Sequence, residues 1–129
     1  MNIIGIGGAG CNIADMFQNY PQYNAYFVDT ENTNNQKNFL KVEKQKNHEE
    51  YEKNYKKLNL KKIKGETTII LSGSGKISGI ALRLLEQIKH VNPKILYIKP
   101  DLSTCDKVTK QRERVVFGVL QEYARSNLL

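Results

Sequence analysis

Met1-Asn-Ile-Ile-Gly5-Ile-Gly7-Gly8-Ala9-Gly10-Cys11-Asn12 sets a short apolar run directly against four glycines and an alanine, and a helical pattern starts at once. Glycines 5, 7 and 10 have the spacing G-x-G-x-x-G of a strand-to-helix turn. In that turn backbone amides can approach a phosphate while a helix N-terminus points its partial positive charge at it. The chain therefore opens as a strand-helix unit suited to a nucleotide.

Outward from this stretch, strand and helix patterns alternate. Residues 1–6 read as a buried strand, and Ile13, Met16 and Phe17 mark one face of a helix that stops near Pro21. Ala25–Val28 is a second strand, followed by a polar run from Asp29. Phe39–Val42 reads as a short edge strand ahead of a lysine-rich helix at about 47–60. Thr67–Leu71 is β-branched and flanked by glycine and serine, as a strand should be. A helix over Ile80–His90 buries positions 81, 84, 85 and 88, and Pro93 separates it from a strand at Ile95–Ile98. A last helix, about 107–125, carries Val108, Val115 or Val116, Val119, Leu120 and Tyr123 on its stripe.

This alternation predicts a single α/β domain over residues 1–129, a Rossmann-like three-layer parallel sheet with strand order 3-2-1-4-5. A lysine-rich insert or helix at about 37–64 interrupts it. Ligands of such sheets bind beyond the carboxyl ends of the strands. The polar and glycine-rich segments 5–12, 29–35, 72–79 and 99–106 all fall there.

Composition narrows the function classes. With 129 residues, 40% of them hydrophobic, the chain can bury one core and not two. No run approaches the roughly 18 apolar residues of a membrane span, and no basic leader precedes the first strand. Cys11 and Cys105 lack a C-x-x-C spacing, which argues against a disulfide framework or zinc site and for reduced thiols in an intracellular protein. A cytoplasmic location is expected, the host cytoplasm were the chain viral. The net charge of +7 lies almost wholly in residues 37–64, where ten lysines meet four glutamates. No arginine is interleaved with them, so a solvated surface is the expected role rather than binding of nucleic acid or an acidic partner.

The first loop with Asp29 about 20 residues on also fits a dinucleotide site, where an acid binds ribose. A second cluster, Ser72-Gly73-Ser74-Gly75-Lys76-Ile77-Ser78-Gly79, again joins a strand to a helix, with amides, hydroxyls and an ammonium available to an anion. It is not a Walker A loop, since Ile70 and Ile77 stand where that pattern needs glycine and Ser or Thr.

Two such loops in this order resemble the tubulin/FtsZ family of GTPases. Gly5–Asn12 is similar to that family's G-x-G-G-x-G-x-N, and Phe27–Glu31 to the N-T-D segment after its second strand. Gly73–Gly79 falls where the family carries G-G-G-T-G-T-G, and Ile98-Lys-Pro100 is similar to T-K-P. Arg112–Glu122 resembles the following helix, so the likeness spans nearly the whole chain in order.

The resemblance implies a guanine nucleotide, GTP or GDP, with Mg2+ as a further candidate. It places Gly7, Gly8, Ala9, Gly10 and Cys11 on the phosphates and Asn12 on the base or sugar edge. Asp29, Thr30 and Glu31 would sit near the phosphates or magnesium. Gly73, Ser74, Gly75, Lys76, Ile77, Ser78 and Gly79 would wrap the diphosphate, with Pro100 and Asp106 at the ribose and Arg112 behind.

The departures are Lys76 and Ile77 in the signature loop, and lysine-rich residues in place of the loop that responds to the γ-phosphate. The family's catalytic loop and second domain would lie past Leu129, so a fragment or shortened relative is expected, with weak or no hydrolysis and no catalytic residue of its own. Self-association into protofilaments is implied only for a longer protein. Two other readings stay open: an NAD(P)-binding Rossmann domain of an oxidoreductase, and a non-catalytic interaction module that has lost the nucleotide.

Overall fold

Asn2-Ile-Ile-Gly-Ile6 forms β1 (Asn2–Ile6), every residue of it buried, as a central parallel strand covered on both faces requires. The computed structural model describes residues 1–32, 36–60, 63–72, 75–99, 103 and 106–127, with backbone alone for 123–127. Around β1 stand β2 (Asn24–Asp29), β3 (Phe39–Lys41), β4 (Thr67–Ser72) and β5 (Lys94–Ile98). All pairings are parallel and the order is β3-β2-β1-β4-β5, the α/β topology expected from the alternation.

Helix α1 (Gly7–Asp15) covers one face of the sheet through Cys11 and Ala14, against Ile3, Ala25, Phe27 and Ile70. On the other face α2 (His48–Lys53), α3 (Ala81–Gln87) and α4 (Lys107–Asn127) pack with Ile4, Ile6, Val28, Ile69 and Leu71. The result is three layers. Among the described residues, no helix is long and apolar enough to cross a membrane.

Several helix expectations need correction. α1 starts at once after β1 and buries Gly7, Gly10, Cys11 and Ala14, whereas Met16 is 67% exposed. Small residues at i, i+3, i+4 and i+7 form the inner stripe, and the larger Ile13 and Phe17 only flank it. The lysine-rich helix ends at Lys53, far short of residue 60. Beyond it Leu58, Leu60 and Ile63 recur at intervals of two and three, which suits an irregular strap rather than a helical stripe. Leu60 and Ile63 are buried in the core, each contributing about 2 kcal/mol. Gln87 of α3 holds the strap, accepting from the Leu58 amide and the Tyr55 hydroxyl and donating to the Leu58 carbonyl.

The helix expected over 80–90 is α3 extended by 3-10 turns at Lys76–Ile80 and Lys89–Val91, and it stops at Asn92 in the left-handed region before Pro93. α4 turns Glu113, Val116 and Leu120 inward and leaves Val108 and Val115 outside.

The two edges of the sheet are finished differently. At the amino edge the buried Asn2 side chain donates to the Lys64 carbonyl (2.9 Å) and to the Thr67 hydroxyl (3.3 Å), tying the strap to β4. The carboxyl edge carries the loops into α1, the 3-10 turn and α4.

Candidate functional site

At the carboxyl edge, β1 runs into α1 without a connecting loop. Gly7 makes the turn at φ +73°, a conformation that an L side chain rarely adopts. The helix behind it sits close to the sheet. A Cβ on Gly10 would lie 2.3 Å from the Ile70 carbonyl oxygen of β4, and one on Gly5 would lie 2.5 Å from the Gly10 carbonyl oxygen. These two glycines set helix-to-strand distance. Gly8 has no such neighbour within 4 Å, and Gly8, Ala9 and Asn12 are exposed. Among the described residues no side chain caps α1 and no acid stands in its first turn, so its positive end faces outward.

Cys11 turns the other way. Its thiol lies against the carbonyl oxygens of Gly5 (3.5 Å) and Val28 (3.6 Å), bridging β1 and β2. Burial, then the Asp29 carboxylate, push that thiol up to about 12. A thiol held neutral is a poor nucleophile. In a Cys105→Ser background, Cys11 should react with a disulfide reagent at pH 8 on the order of 100-fold more slowly than in urea. Equal rates would mean that α1 opens readily.

Asp29 closes β2 and its side chain accepts from the Thr30 amide (2.8 Å), while its carbonyl accepts from the Val42 amide (2.9 Å). Glu31 is exposed beside them. The register sets Lys41 of β3 opposite Asp29, a neighbour that the sequence reading left out because the third strand was only weakly marked. Among the described residues no group of three His, Cys, Asp or Glu could hold a metal. Magnesium with a nucleotide needs only one or two carboxylates besides phosphate oxygens, and Asp29 and Glu31 are of the right chemistry.

The second glycine cluster is used in a mixed way. Gly73, Ser74 and Pro100 lie outside the described residues. Gly75 and Lys76 are exposed, and a side chain on Gly75 would meet open space. Ile77 leans back onto α1: its Cγ2 lies 2.8 Å from where a Cβ of Gly7 would be. Ser78 is buried and donates to the Gly75 carbonyl, so its hydroxyl braces the turn. Gly79 packs under α2, where a Cβ would come within 2.1 Å of the His48 carbonyl oxygen. The loops of β1 and β4 thus meet at Gly7 and Ile77.

Asp106 stands just before α4 and Arg112 within it. Asp106 accepts from the Thr109 amide (2.7 Å), the pattern of a helix N-cap, and hydrogen bonds from Thr109 hold its carboxyl below the usual range. Arg112 acts electrostatically on His48, on the α2 side. His48 was not singled out in the sequence, and no motif marks it. Among the described residues its buried Nε2 finds no hydrogen-bond partner, and it stands beside a cavity of about 40 Å3 lined by Ser78, Leu82, Val115, Val116 and Val119. Burial, then Arg112, lower its pKa, against the opposing pull of Glu52 and Glu49.

Neutral His48 has a consequence for acid stability. Below its ordinary value of 6.5 the unfolded chain takes up a proton that the folded chain refuses, so stability falls as pH drops through that value. The melting temperature should decline between pH 7.5 and 5.5, and His48→Leu should decline less. Parallel curves would remove His48 from the account.

Compared with family models, with curated proteins and with solved structures, the chain gives no match.

Proposed function

We propose that this chain binds the phosphates of a guanine nucleotide across the carboxyl ends of β1, β2 and β4, as a tubulin/FtsZ-like nucleotide-binding domain. The observation that carries the reading is Gly8. Gly5 and Gly10 are needed for close packing and Gly7 for its turn, but among the described residues nothing requires residue 8 to lack a side chain. An anion approaching the uncapped first turn of α1 supplies the reason. The strand order supports it, because the two glycine-rich loops follow the neighbouring strands β1 and β4 and flank one position. Guanine, rather than another base, rests on the tubulin-like order of the loops and on Asn12, exposed on the same side of α1 as Gly8. Asp29 and Glu31 would serve magnesium, and hydrolysis by this chain alone is expected to be slow.

One observation favours a different reading, the interaction module without nucleotide. Ile77 rests on Gly7, where a phosphate-wrapping loop would need a small residue. Calorimetric or thermal-shift titration with GTP, GDP, ATP and NAD separates the two. At 100 times Kd a nucleotide adds about 2.7 kcal/mol of stability, which is readily seen. Guanine nucleotides should give the largest shift. Strongest binding of NAD would replace the reading with a dinucleotide domain. No shift with any ligand, in the wild type and in Ile77→Gly alike, would leave the interaction module.

A further inference from the structure

Among the described residues the sheet has two unpaired outer strands, β3 and β5, and they are unlike. β3 is three residues long, contains Lys41 and lies between Lys37 and Lys44, features that discourage pairing with another strand. β5 is five residues long, roughly 17 Å, and has four consecutive apolar residues, Ile95-Leu-Tyr-Ile98. It pairs with β4 along its whole length, from Thr68 opposite Lys94 to Ser72 opposite Ile98, and is the last strand of the sheet.

α4 holds β5 in place from one face only. The Tyr97 hydroxyl donates to buried Glu113 (3.0 Å), and its ring lies 5.3 Å from that of Phe117. On the other face Leu96 is 50% exposed. The outer backbone groups of such a strand are a template for one more strand.

Charge identifies the occupant. From Gln87 to Lys99 the chain carries Lys89, Lys94 and Lys99 and no acidic residue. A second copy would bring the same lysines to the contact, a like-charge arrangement that opposes pairing. An extended segment with apolar alternate residues and acidic ends meets both the Leu96 surface and the flanking ammonium groups. We propose that the free edge of β5 is a strand-addition site for an acidic, extended segment of a partner protein. Main-chain hydrogen bonds would supply the affinity, and Leu96 with Lys94 the selection.

The test uses the full chain and fluorescein-labelled seven-residue peptides of alternating isoleucine and threonine, one with glutamate at both ends and one with lysine. Fluorescence anisotropy should show the glutamate-ended peptide binding at least about tenfold more tightly, with the preference shrinking as salt is added. Methylating alternate backbone nitrogens of that peptide should abolish binding. Lys94→Glu at this exposed position, with an unchanged circular dichroism spectrum as the control for folding, should reduce the preference. Equal binding of the two peptides, survival of backbone methylation, or no binding up to about 1 mM would overturn the proposal. So would sedimentation showing that the chain pairs with itself and that Leu96→Ser abolishes the pairing.

Discussion

Gly10→Ala is expected to destabilise the chain by about 3 kcal/mol, the upper end of the usual overpacking cost. Two effects compete at this position. Alanine in a helix is favoured over glycine by about 1 kcal/mol. Against that, the new Cβ would lie 2.3 Å from the Ile70 carbonyl oxygen and 3.2 Å from its carbon. The obstacle is backbone, and β4 is held by β1 on one side and β5 on the other, so it has nowhere to go. α1 must lift instead, and Cys11 and Ala14 lose their contacts with the sheet. For a chain of this size the loss is a fall of roughly 10 °C in melting temperature. Gly75→Ala, whose Cβ would meet open space, is the control and should be near neutral. A Gly10→Ala chain as stable as wild type would show that α1 stands further from β4, and the loop geometry built on that contact would fall with it.

Gly8→Asp separates binding from folding. An acid in the first turn of a helix interacts favourably with the dipole by about 0.5 kcal/mol, and losing a glycine there adds to that. Among the described residues nothing lies within 4 Å to resist the side chain, so stability should hold or rise slightly. Nucleotide affinity should fall at least about 100-fold, or about 2.7 kcal/mol, because a fixed carboxylate occupies the space and repels the phosphate. The two measurements are made on one variant: urea unfolding without ligand, then titration with GDP. Unchanged affinity in a folded Gly8→Asp chain would take the phosphates away from this loop, whatever base the ligand carries.

How much of this was legible from residues depends on the kind of interaction. β1 and β4 were readable because a central parallel strand excludes water from both faces, and Asn2–Ile6 and Thr67–Ser72 show it as apolar or β-branched runs. The inner face of α1 was misread because ordinary periodicity looks for large apolar groups, and this helix buries glycines and an alanine to come close. Residues 54–60 were misread because the lysines suggested a solvated helix, whereas Leu60, with Ile63 beyond it, closes the core. Lys41 joined the site only through its register with Asp29, a pairing between segments separated by a weakly marked loop.

The candidate site divides along the same line. The junctions at Gly5–Asn12 and Gly75–Gly79 were legible because glycine at a strand-to-helix turn is a local property of backbone conformation, and local properties are written in neighbouring residues. Which glycine does what is not local. Gly10 meets Ile70, Gly79 meets His48, Ile77 meets Gly7, and each pair comes from segments far apart in the chain. The sequence therefore settles that strand, turn and helix alternate and that the turns are glycine-rich. Only packing sorts those glycines into ones that bring helix onto sheet and ones, Gly8 and Gly75, left open to solvent, because distances between remote segments are set by the whole core and not by any one stretch of it.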